Sequence, residues 1–67
     1  MSYSVLRTAE QFIQEVERTT TGWSKKRTLQ SLEGQLLLVP HYVTMPEEER
    51  QKAKDYLSRK IEELKKG

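Results

Sequence analysis

The stretch GWSKKRTLQSLEGQLLLVPHYV, residues 22–43, decides the fold, because the flanking sequence reads as helix and this part reads two ways. In one reading it is a helix over Lys25 to Glu33. Leu29, Leu32 and Leu36 keep helical spacing, and Ser24 stands where an N-cap hydroxyl belongs. Lys25, Lys26 and Arg27 oppose that reading, since they load the positive end of a helix dipole with positive charge. In the other reading the stretch is a β-hairpin. Glu33 and Gly34 make the turn, Thr28 to Leu32 and Gln35 to Val39 make the strands, and Leu29, Leu36 and Leu38 share a face. Glu-Gly is a weaker turn than Asn-Gly or Asp-Gly, and Pro40 closes the second strand or marks it as an edge. The hairpin is the favoured reading. The sequence thus predicts an α+β domain in the order helix, strand, strand, helix, with both helices packed on one face of the hairpin. An all-α three-helix domain is the alternative.

The flanking helices carry clearer signals. Thr8 and Gln11 have the spacing of a capping box, and Glu10 suits the positive end of the dipole. Ala9, Phe12, Ile13 and Val16 recur on one helical face, with Gln11, Gln14 and Arg18 opposite. The run Thr19 to Thr21 followed by Gly22 stops this helix, which is placed at about residues 8–19. The last helix opens at Thr44, Met45, Pro46 and Glu47, with Thr44 and Glu47 read as a second capping box. Glu47, Glu48 and Glu49 lie at its positive end and Lys65 and Lys66 at its negative end. Ala53, Tyr56, Leu57, Ile61 and Leu64 form the apolar stripe, and the stem of Lys60 covers part of it. Asp55 with Arg59 and Glu62 with Lys66 are spaced as ion pairs on the outer face. Tyr3, Val5 and Leu6 precede the first helix as an edge strand or an apolar arm.

Composition narrows the functions. The chain has 67 residues, enough for a single domain over 1–67 and too few for a deep core. Cysteine is absent, which excludes disulfides, thiolate zinc sites, iron–sulfur clusters and thiol nucleophiles. A domain this small and without crosslinks is expected to lean on a partner chain. With 34% hydrophobic and 33% charged residues, no segment approaches a membrane span, and Met1 to Leu6 does not read as a signal peptide. A soluble, cytoplasmic chain is the expectation. His41 is the one histidine and no glutamate stands at a ligand spacing from it, so neither metal nor cofactor is expected. Pairing of His41 with Ser31 or Thr44 is the only nucleophile arrangement on offer, and neither hydroxyl carries a mark of activation.

Charge is nearly balanced at +2, a mild basic excess. Trp23 is followed at once, after Ser24, by Lys25, Lys26 and Arg27, the only run of three consecutive basic residues. Such a group suits an acidic protein surface, or phosphates with the indole stacked on a base. Ser24 and Thr19 to Thr21 beside these lysines are also possible phosphoacceptors for a basophilic kinase. The sequence therefore predicts a non-catalytic binding or adaptor module that regulates or assembles a protein partner, with a homodimer as one form. It would make contact through Trp23, Lys25, Lys26, Arg27, the hairpin edge and Tyr42. A small nucleic-acid-binding module using the same basic cluster is the alternative.

Overall fold

The computed structural model describes residues 6–66, so the expected arm at Tyr3 and Val5 lies outside the described residues. Three α-helices and one turn of 3-10 helix make up the fold: α1 (Ala9–Thr20), α2 (Lys25–Leu38), the 3-10 turn (Val39–His41) and α3 (Glu47–Lys66). No strand occurs among the described residues. The hairpin and the α+β class are therefore wrong, and the all-α three-helix alternative is what forms.

The reason lies in the residues of α2. Eleven of its fourteen residues are Lys, Arg, Leu, Gln or Glu, which lose little side-chain freedom in a helix. Within it, only Thr28 is β-branched. The three cations at its N-terminus are a real cost, about 0.3–1 kcal/mol each before solvent screening. All three are exposed, which lowers that cost. Against it stand a cap and a packed face. Ser24 Oγ accepts from the Arg27 amide at 3.2 Å, and Thr28 returns its hydroxyl to the Ser24 carbonyl at 2.9 Å. Leu32 is fully buried, Leu29 and Leu36 pack beside it, and burying even one such leucine is worth about 1.5–3 kcal/mol. Pro40 then tightens the chain into the 3-10 turn, where its missing N–H costs nothing.

The other two helices follow their sequence signals closely. α1 has the Thr8–Gln11 capping box in full, with Gln11 Oε1 accepting from the amides of Arg7 (2.8 Å) and Thr8 (3.2 Å). It ends where the threonines begin. Thr20 and Thr21 donate their hydroxyls to the carbonyls of Val16 and Glu17, and Gly22 turns the chain at φ 83°. α3 starts at Glu47, two residues later than the capping box read from Thr44 and Glu47 would place it. Thr44 donates instead to the Leu6 carbonyl at 2.8 Å, and the Pro46 carbonyl takes the first helical bond, from Arg50. The helix thus begins three residues past Thr44, which leaves that hydroxyl free to tie the entry of α1 to the entry of α3. The ion pairs on α3 are Glu49–Lys52 (3.4 Å) and, across to α2, Glu33–Lys65 (3.7 Å), in place of Asp55–Arg59 and Glu62–Lys66.

Cross-links between elements fix the topology. Glu49 accepts from the Ala9 amide at 2.8 Å, and the Tyr56 hydroxyl donates to Glu17 at 3.2 Å, so α1 and α3 run side by side in the same direction. Arg50 donates to the Pro40 carbonyl at 2.9 Å while Lys65 reaches back to Glu33, so α2 runs the opposite way. The result is an up-down-up arrangement in which α3 serves as the shared partner of α1 and α2, and those two hardly meet. The core lies along α3: Ala53, Leu57 and Ile61 meet Phe12 and Val16 from α1 and Leu32 from α2, and Val39 and Met45 plug its end.

Candidate partner-binding surface

The predicted contact residues fall into two places. Trp23, Lys25, Lys26 and Arg27 gather at the N-terminal end of α2. Trp23 is half-buried in the link from α1, and the Arg27 guanidinium sits over its ring at 4.0 Å from the centroid. That stack is worth about 0.5–1 kcal/mol at an exposed site. It also offsets part of the charge penalty at the start of α2. Lys25 and Lys26 extend into solvent beside it.

Tyr42 is elsewhere. It follows the 3-10 turn at the far end of α2, about 20 Å along the helix axis from Lys25. Its ring meets Phe12 edge-on, with centroids 5.9 Å apart and an interplanar angle of 63°. Its hydroxyl donates to Gln35 at 3.0 Å. Both contacts are structural, so Tyr42 is a core-edge residue and is not brought together with the basic cluster. The hairpin edge, the other predicted contact, does not exist among the described residues.

The far end of α2 carries something the sequence reading overlooked. Leu37 is 76% exposed, Leu38 52% and Val43 89%, three large apolar side chains within seven residues. The signal was present in the run Leu36 to Leu38. Successive helical residues are separated by about 100°, so three leucines in a row span about 200° and cannot all face one core. Reading the stretch as a strand hid this, because alternation put Leu36 and Leu38 inward together.

Their neighbours along α2 form a continuous outer stripe. Arg27, Gln30, Gly34 and Leu37 succeed one another at three- and four-residue spacing, and all four are exposed. Gly34 is in the middle. Its backbone is ordinary helix, and a Cβ placed there meets nothing within 4 Å. The fold itself has no need of a glycine at this position.

Groupings suited to bond-making chemistry do not converge. His41 is exposed at the end of the 3-10 turn, and Thr44 commits its proton to the Leu6 carbonyl. Ser31 lies in a cleft of about 290 Å³ where α1 and α2 diverge, beside Phe12, Glu15, Thr20, Gln35 and Tyr42, with Glu15 paired to Arg18. Among the described residues, no group of three His, Cys, Asp or Glu side chains is placed to hold a metal ion. No described helix is long and apolar enough to cross a membrane. Comparison with family models, with curated proteins and with solved structures finds no match for the chain.

Proposed function

We propose that the chain is a small non-catalytic binding module, acting in the cytoplasm, that assembles with a protein partner through the outward face of α2. One observation carries the reading: Leu37, Leu38 and Val43 stand in water at one end of a helix whose other face is already packed on α3. A helix apolar on both sides is the pattern of a helix sandwiched between two partners. Large exposed apolar side chains grouped within seven residues are the kind of feature that on a monomer marks an interaction site. The basic end of the same face adds steering and selectivity toward an acidic surface. The test is the size of the particle that the chain forms in its own cells. Wild type should migrate in an assembly larger than one chain. The variant Leu37→Lys/Leu38→Lys, with unchanged helical circular dichroism, should migrate as a single chain. An assembly that persists in the folded variant removes α2 from the contact.

Nucleic acid is the second reading. In its favour, Lys25, Lys26 and Arg27 form no ion pair among the described residues. Against it, Arg27 already covers one face of the only tryptophan, where a base would stack. Neutralising three phosphates would give an affinity falling with salt at a logarithmic slope of about −2 to −3. Titrating mixed DNA and RNA at low and moderate salt measures that slope, and no binding at low salt excludes the reading.

A further inference from the structure

We propose that a second copy of the chain covers α2: two α2 helices pack antiparallel, with Leu37 of each copy set over Gly34 of the other. This rests on the reading of α2 as the contact face and adds the occupant and the register.

The stripe is complementary to itself. Leu37 is a projecting apolar side chain and Gly34, one turn earlier, is an open notch in the same row. Knob and notch on one stripe are matched by a two-fold axis between them, the self-complementary pattern of a dimer interface. Glycine in an exposed helix costs about 1 kcal/mol relative to alanine. Close approach of a second backbone gives that cost a purpose.

Charge fixes the direction. The N-terminal end of α2 carries Lys25, Lys26 and Arg27, exposed and without an acidic residue in the first turn. The C-terminal end adjoins the start of α3, where Glu47 shares a cleft with Pro40, Arg50 and Lys54 and Glu48 follows it, both acids exposed. A parallel pair would set the two basic ends together. The antiparallel pair brings each basic end toward the Glu47 and Glu48 of the other copy, and it opposes the two helix dipoles as well. The cations at the start of α2 then lie apart from those of the other copy instead of beside them.

Area sets the strength. Three exposed apolar side chains fall well short of the ~800 Å² that each partner contributes to a standard interface. In this register the two α2 helices oppose each other over residues 33–38, and each basic end runs on past the partner helix toward the start of the other copy's α3. A reversible, concentration-dependent dimer is the outcome, rather than an obligate one.

Sedimentation of the purified chain, from about 5 µM to about 500 µM, reads this directly, because mass action raises the dimer fraction with concentration. Wild type should pass from one chain toward two. Leu37→Glu should weaken the dimer at least tenfold. Lys25→Glu/Lys26→Glu gives the orientation: it weakens the antiparallel dimer, whereas in a parallel pair it would relieve repulsion and tighten it. Circular dichroism confirms that each variant is folded. A wild-type chain that stays monomeric throughout overturns the second copy as occupant, as does a dimer indifferent to Leu37→Glu. A tighter dimer in the double glutamate variant overturns the antiparallel register. The assembly recovered from cells is a separate observation, so failure here and failure of α2 as a contact face are told apart.

Discussion

Single residues divide into those that hold the fold and those that the fold can do without. Leu32 is the one fully buried residue that α2 contributes to the core. Truncating such a leucine costs about 2–5 kcal/mol. A domain of this length has only a few kcal/mol in total. Leu32→Ala is therefore expected to abolish or nearly abolish the cooperative unfolding transition in urea. Gly34 has the opposite expectation. Gly34→Ala should raise the stability of the monomer by about 0.5–1 kcal/mol, measured by urea unfolding at low concentration, because the new methyl meets open space and the unfolded chain loses freedom. The same variant fills the notch and should weaken self-association, so stability and assembly move in opposite directions.

Two titrating side chains link α1 to α3, and their signs differ. Glu49 is held below its ordinary value of 4.5, first by the Ala9 amide and then by Lys52, with burial opposing. Its contribution is complete above that value and is lost as pH falls through the lowered one. Acid should release the start of α1 before the α2–α3 contact opens, which amide exchange at Phe12 and Ile13 reports. Tyr56 is pushed up to about 12 by burial first and by the charge and hydrogen bond of Glu17 next. Its contribution is complete below the usual 10 and disappears as pH rises from 10 to about 12. Tyr56→Phe should lack that alkaline loss, seen in unfolding curves taken across the same window.

At the scale of elements, the ends of helices were more legible than their partners. The capping residues Thr8 and Gln11 and the stop at Thr19 to Gly22 placed α1 to within a residue. The stripe from Ala53 to Leu64 placed the buried face of α3. α2 misled because one local rule, the dipole, was weighed above the sum of side-chain propensities over fourteen residues. Each exposed cation opposes the helix by a fraction of a kcal/mol, whereas one buried leucine alone outweighs several of them. Thr44 misled for a different reason. Its spacing to Glu47 was that of a capping box, but a bond to the Leu6 carbonyl, thirty-eight residues away, claims the hydroxyl and is invisible to local pattern. The cap that does hold α2 can be checked: Ser24→Ala should cost about 1 kcal/mol by urea unfolding.

For the molecule as a whole, α3 is the spine and the other two helices depend on it rather than on each other. That arrangement leaves an outer face on each of them. The outer face of α1 is polar, with Glu10, Gln14 and Arg18, and calls for nothing but water. The outer face of α2 runs from a stacked Trp23 and Arg27, through an open glycine, to exposed leucines. The basic half of that face was evident from sequence because like charges adjoin in the chain. The apolar half became evident only once the helix put Leu36 inward and Leu37 outward, and Tyr42 left the candidate surface when its ring proved to belong to Phe12.

A photo-crosslinking residue in place of Leu37, introduced into the chain in its own cells, examines the claim that the outward face of α2 is covered. Light should join position 37 to another protein chain in good yield, while the same residue in place of Glu10 on α1 gives little or nothing. Equal yields at the two positions, or none at position 37, would contradict it.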